Sequence, residues 1–246
     1  MKRLQINCLM IVIAFVIVHT NTLSQSLVPD TASSPAENNV IKFYNAALSE
    51  QLHLYNGKEY KDYAMPFDEG SPYFINTGWS NGTVDYDGKN YKDVSLFYNV
   101  VNDDVIIADH NKALKILLIK EKVAGFSLLG HSFLNLSRDS LFSTDMHPGF
   151  YDVLATGKIS LLARRTKSIK TTTKQKVEFK VYENNHFYVK KNRSYFPVYN
   201  KSSLLEQFGE RKKEMEQYMK QNRFKFNSDA ENVMIKTIEY YNQLMK

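Results

Sequence analysis

Four groups of side chains in this sequence have types and spacings that suit chemistry. His131 stands between apolar neighbours in LLGHSFLNL, where an imidazole serves either as a general base or as a hydrogen-bonded core or turn residue. Asp145 and His147 form a D-x-H triplet ahead of Pro148-Gly149, a metal-like pair that lacks a third ligand at a recognisable spacing. Asp103, Asp104, Asp109 and His110 fall in one hairpin, and acids so gathered can hold a divalent cation. Acids in turns more often serve the backbone, so these read first as water-exposed turn residues. The last group is basic: Arg164, Arg165, Lys167, Lys170, Lys174, Lys176 and Lys180 lie along one hairpin with threonines 171–173 at its tip.

Arg164, Arg165, Lys167 and Lys170 are the candidate binding residues of that run. A basic hairpin can meet phosphate-bearing groups, which outside the cytoplasm means lipid headgroups and surface polysaccharide. It can equally be a solvated strand edge, kept from aggregating by its lysines. Arg164 and Arg165 are adjacent, so in a strand they point to opposite faces. The sequence has no G-x-G-x-x-G, P-loop, H-E-x-x-H, G-x-S-x-G or EF-hand loop, so the enzyme classes those motifs announce are not indicated. No cofactor and no metal site is implied. The stretch ERKKEMEQYMKQNRFKF and the helix after it have the outline of a helix-turn-helix. Acidic residues interleave with its basic ones, which argues against nucleic acid.

The elements that must position these groups are legible from periodicity. Ser34, Pro35 and Glu37 make a capping box, and Val40, Ile41, Tyr44, Leu48, Leu52 and Tyr55 recur at helical steps until Asn56-Gly57. From residue 83 to 198 the period is two, with a turn signal every ten residues or so. Strands are expected at 83–87, 94–98, 105–107, 113–119, 123–129, 131–136, 149–155, 158–169, 177–182, 186–190 and 194–198. Asp87-Gly88, residues 102–104, Thr156-Gly157, Asn184-Asn185 and Asn192 supply the turns. Ser203 with Glu206, and Ser228 with Glu231, read as capping boxes of C-terminal helices, with 210–222 strongly helical. The expected fold is α+β: an N-terminal helix, an antiparallel β-meander of roughly ten short strands, flat or curved into a half-barrel, then C-terminal helices.

The N-terminus sets the compartment. Lys2 and Arg3 precede the uncharged apolar run 8–18, CLMIVIAFVIV, which is shorter than the 20 or so residues that span a bilayer. It reads as the h-region of a signal peptide over 1–24, with Thr22 and Ser24 small enough for a cut before Gln25. Its length argues against an uncleaved anchor, and Cys8 lies inside the run with no lipobox before it. Residues 25–34 suit a flexible spacer and 35–246 a single domain with no transmembrane segment. Cleavage removes the only cysteine, so the mature chain has no disulfide and no thiolate. The formal charge of +6 falls to +4 with Lys2 and Arg3 gone. Tyr 16 and Phe 15 against one Trp is aromatic-rich, which fits contact surfaces as well as core.

GSPYFINTGWSNGTVDYDGKNYKDVSLFYNVVNDDVII, LLGHSFLNL, GFYDVLATGKISLLARRTK and FYVKKNRSYFPVYNKSSLLEQFGERKKEMEQYMKQNRFKF together resemble a secreted family of Gram-negative bacteria with no assigned activity. The resemblance covers about 70–241 and implies a location in the periplasm, at the outer-membrane periphery or outside the cell. It supplies no catalytic constellation. Two functions follow as expectations. One is a non-enzymatic envelope protein that binds a protein, lipid or glycan partner. The other is a hydrolase-like enzyme using His131 or the Asp145/His147 pair, which requires two or more of His110, His131, Asp145 and His147 to converge in one pocket. A membrane β-barrel is not expected, because the chain closes with charged helices.

Overall fold

The computed structural model describes residues 39–41, 44, 53–75, 78–109, 111–137, 146–173 and 176–246. Of the expected first helix, 39–41 and Tyr44 are described and helical, and its last residues, His53–Tyr55, form a single 3-10 turn. The leader, the spacer and the rest of that helix lie outside the described residues. Residues 44–246 form one compact unit.

Among the described residues eleven antiparallel strands make a single sheet: β1 Lys58–Glu59, β2 Ser80–Tyr86, β3 Lys89–Asn99, β4 Asp104–Ala108, β5 Lys115–Leu117, β6 Val123–Leu128, β7 His131–Leu136, β8 Gly149–Ala155, β9 Ile159–Thr173, β10 Val177–Lys191 and β11 Ser194–Val198. Three helices follow: α1 Lys201–Glu206, α2 Lys212–Gln221 and α3 Ala230–Leu244. The spatial order is β1-β5-β4-β3-β2-β6-β7-β8-β9-β10-β11. The chain is therefore a meander with two departures: β1 lies beside β5 rather than β2, and the chain returns from β5 to pair β6 with β2. Asp87 and Gly88 both take positive φ, 52° and 76°, the twist that a two-residue hairpin between right-twisted strands requires.

The sheet cannot be flat. Residues 68–74 form a strap that receives Val181 N on Glu69 O at 2.9 Å and gives Phe74 N to Tyr98 O at 2.8 Å. It thus joins β10 to β3, which are six steps apart in the sheet. Six steps in a flat sheet measure about 29 Å, whereas five residues of chain reach at most about 18 Å. The sheet must coil to bring β3 and β10 within reach of the strap. Its inner face buries a cluster in which Phe126 and Phe133 stack at 4.5 Å, with Tyr98, Phe74 and Phe150 packed edge-on or tilted around them.

Helices α1–α3 build a second core on the same face, over β8–β11, from Leu161, Val189, Leu204, Met215, Met234 and Ile238 among others. Asp152 pairs with Ala163 across β8 and β9, so Phe150, Asp152, Ala163 and Arg165 share a face. The Asp152–Arg165 pair described below therefore lies at the seam between the aromatic and helical cores. Near the C-terminal end of α3, Asn242 accepts Ile159 N at 3.0 Å and donates to the carbonyls of Ile159 and Thr156. A Cβ at Gly157 would overlap that amide, so glycine at the turn is what lets the helix dock.

Several expectations are corrected. Residues 177–191 form one strand, and Asn184-Asn185 is no turn: both pair with β9, opposite Thr166 and Arg165. Their amides bond neighbours in the same strand, His186 and Glu183, so the strand tolerates them. Helix α1 is capped by Asn200, whose side chain accepts from Ser203 N while Ser203 bonds back; Ser203 is the last residue of the box, not its first. Helix α3 starts after Asp229 with no side-chain cap, and Glu231 turns instead to an arginine. The strand expected at 113–119 shrinks to β5, and the two-residue β1 carries too little pattern to be read. Asp103 is not exposed. It is 7% accessible and holds the first of two buried ion pairs.

Candidate functional site

Asp103 ends the β3–β4 turn at φ 59°. Its Oδ1 accepts from Tyr98 Oη at 2.6 Å, Arg164 Nη1 at 2.7 Å and Phe150 N at 3.4 Å, and Lys120 Nζ reaches Oδ2 at 3.2 Å. Arg164 also donates to Phe150 O at 2.7 Å. Burial opposes the Arg164 charge, but the hydrogen bond and attraction of Asp103 outweigh it and hold its pKa above the ordinary arginine value. The guanidinium gets there past Gly149, whose φ is 140° and where a Cβ would overlap Asp103 Oδ2 and Arg164 Nη2. Gly149→Ala should therefore lower stability by at least about 2 kcal/mol, combining backbone strain with a displaced ion pair. A melting curve matching wild type would contradict this.

Asp152 is fully buried. Its Oδ2 takes Arg165 Nη2 at 2.7 Å and Nε at 3.0 Å, with His131 Nδ1 at 2.9 Å. Oδ1 is buried with no hydrogen-bond partner. The other side of the Arg165 fork meets Glu231 at 2.6 and 2.7 Å, which ties the first turn of α3 to β9. Burial disfavours this guanidinium too, yet its hydrogen bonds to Glu231 and Asp152 raise its pKa further above the ordinary value. Such a two-sided fork is a geometry that lysine cannot reproduce.

The four candidate binding residues do not share one surface. Arg164 and Arg165 serve different buried carboxylates. Lys167 Nζ donates to the strap carbonyls of Tyr73 at 2.7 Å and Ser71 at 3.1 Å, and burial pushes its pKa down, against the pull of Glu183. Lys170 lies over the Tyr182 ring at 4.9 Å. Further along, Lys176 and Lys180 pair with Asp68 and Glu69 of the strap. The basic β9–β10 hairpin thus clasps the strap for much of its length.

His131 packs edge-on to Phe74 at 4.9 Å, its Nδ1 held by Asp152. Such an arrangement fixes an imidazole for proton transfer at Nε2. His147 is exposed, and its carbonyl accepts from Tyr151 Oη at 2.7 Å. His131 opens β7, and the opposite end of that strand, Leu136, pairs with Gly149. About 17 Å of strand therefore separates His131 from the end near His147. His110 and Asp145 lie outside the described residues. Among the described residues no group of three His, Cys, Asp or Glu side chains is placed to hold a metal ion, and no helix is long and apolar enough to cross a membrane.

Open recesses also lie among the described residues, and two of them have polar walls. One, of about 220 Å³, lies between β10, the end of β11 and the start of α3, with Asn185, His186, Tyr188, Tyr199 and Phe226 in its walls. Tyr199 is 72% exposed, and Asn185 Oδ1 is buried without a partner. The strap bridges the outer edge of β10 at Val181 and β11 pairs with it from Phe187 onward. Residues 182–186 between them have no backbone partner on that edge among the described residues. The second recess, of about 630 Å³, lies on the helices, and half of its lining residues are cations.

Tyrosine burial has a testable effect at high pH. Burial, with the charge of Asp103, holds Tyr98 well above 10, and burial beside Tyr188 raises Tyr151 to about 12. A raised folded pKa means that the folded state binds more protons than the unfolded one between the two values. The associated stability is complete below about pH 10 and is lost as pH rises toward the folded value. Tyr151 alone should account for about 2–3 kcal/mol by pH 12 or so. Urea melts across this range should show a steady fall, and an unchanged midpoint would contradict it.

No protein-family model, characterised protein or solved structure matches this chain. What the molecule itself defines is an antiparallel coiled-sheet protein with C-terminal helices and two buried ion pairs, one of them at the seam between its cores. One sequence signal for that seam exists: Asp152 sits mid-strand in GFYDVLA, and an acid among inward-facing apolar residues needs a cation. Arg165, in the next strand, is that cation.

Proposed function

We propose that this chain is an exported, non-enzymatic protein of the cell envelope, of the secreted Gram-negative kind its sequence resembles, and that it works by binding a protein, lipid or glycan partner. The coiled sheet is, in this reading, a half-barrel whose open side the strap closes. The observation that carries the binding role is the recess beside the unpaired edge of β10. Aromatic walls, an exposed tyrosine and a buried amide oxygen without a partner are the makings of a contact surface. Its volume suits one ring or one side chain of a partner, an anchor rather than a complete ligand.

The test is twofold. Protein recovered from the envelope fraction should have the mass of a chain beginning at Gln25. That mature protein should retain an envelope component which Tyr199→Ala and His186→Ala lose, both positions being exposed. A full-length cytoplasmic product, or equal retention by both variants, would overturn the proposal.

A second reading rests on the 2.9 Å contact of His131 with buried Asp152, which orients an imidazole as in a hydrolase. It predicts turnover of ester, phosphoester or peptide model substrates that His131→Gln abolishes. Turnover retained by the variant would remove it.

A further inference from the structure

The helical recess is unlike the basic strand. Lys201, Lys213, Lys220 and Arg223 line it against a single carboxylate, Glu216, which lies 3.6 Å from Lys201. No carboxylate lies within ion-pair distance of Lys213, Lys220 or Arg223 among the described residues. Lys236, held over the Phe224 ring at 5.7 Å, brings a fifth cation to its border. Along β9 and β10, by contrast, Lys176 and Lys180 are answered by Asp68, Glu69 and Glu178. Like charges gathered without counter-charge repel one another and raise the local concentration of anions.

Spacing narrows the class of anion. Lys213 and Lys220 are seven residues apart on α2, close to two turns, so they share a face about 10 Å apart along the axis. One phosphate cannot engage both at hydrogen-bond distance with their side chains extended. We propose that this cleft binds a ligand presenting two or more phosphate groups, supplied either by lipid headgroups at a membrane surface or by a soluble polyphosphorylated molecule. The envelope reading bears only on which source is present, since the charge geometry stands without it.

Four probes separate the sources: vesicles of phosphatidylglycerol in phosphatidylcholine, vesicles of phosphatidylcholine alone, inorganic tripolyphosphate and orthophosphate. Binding is expected to phosphatidylglycerol vesicles, to tripolyphosphate or to both, to weaken with added salt, and to be far weaker for orthophosphate and for neutral vesicles. The variant Lys213→Gln/Lys220→Gln/Arg223→Gln removes three exposed charges that make no internal ion pair and should lower affinity about a hundredfold. Glu216→Gln, which removes the one opposing charge, should raise it. Binding to vesicles alone assigns the lipid source, and binding to tripolyphosphate alone the soluble one. Binding to neither, a triple variant within about twofold of wild type, or weaker binding by Glu216→Gln would each overturn the proposal. None of these outcomes changes the result at Tyr199, so the two proposals fail separately.

Discussion

Asp103→Ala is expected to lower the unfolding free energy by about 3–5 kcal/mol, the usual cost of leaving one member of a buried ion pair without the other. The variant leaves Arg164, whose side chain is 14% exposed, with one carbonyl for its charge. It also takes from the fully buried Tyr98 hydroxyl the carboxylate it donates to at 2.6 Å. Because Asp103 sits at the β3–β4 turn and Arg164 on β9, the pair spans five steps of the sheet order. Its loss loosens the coil as well as the pair. A fall in melting temperature of about 10 °C is expected for a unit of this size. Adding Arg164→Met to Asp103→Ala should recover part of the loss, since no charge is then stranded. A loss below about 1 kcal/mol in the single variant would show that the pair is not a fastening of the fold.

Arg165→Met should cost about as much by the opposite route. Here the stranded group is Asp152, fully buried, with one oxygen already lacking a partner and the other left only His131. Glu231, a third exposed, turns to water at smaller cost, but α3 loses its tie to β9. Arg165→Lys should recover less than half, because one ammonium cannot give parallel bonds to Asp152 and Glu231 at once. Removing Asp152 as well, in Arg165→Met/Asp152→Ala, should be milder than Arg165→Met alone. Denaturant melts of the three variants check the order. A lysine variant as stable as wild type would contradict the fork.

These effects mark the limit of what the sequence discloses. Local patterns placed β7, β8 and β11 to the residue, because alternation and turn chemistry act over a few positions. Asp87-Gly88 and Asn192 turn the chain as their residue types require. The same local logic misplaced Asn184-Asn185, where the partner strand β9 runs on for 15 residues and its ladder outweighs a turn preference. It also read Asp103 as a wet turn acid. Its partner Arg164 lies 61 residues away, and Arg165 reaches Glu231 across 66. No periodicity encodes contacts of that kind, which exist only once the sheet has coiled. The adjacency of Arg164 and Arg165 did carry one long-range lesson: two charges on opposite faces cannot make one patch, and they meet different carboxylates.

The same shift moves attention from the basic strand to the surfaces beside it. Lys167, Lys176 and Lys180 hold the strap, so alanine substitution across that strand would confuse binding with folding. Tyr199 carries no such burden, because its side chain is 72% exposed while its backbone alone helps cap α1. The direct measurement is photo-crosslinking in intact cells, with a photoreactive phenylalanine analogue replacing Tyr199 in one protein and Lys170 in another. A discrete adduct with an envelope component is expected from position 199 and none from position 170. An adduct from 170 with none from 199 would contradict it.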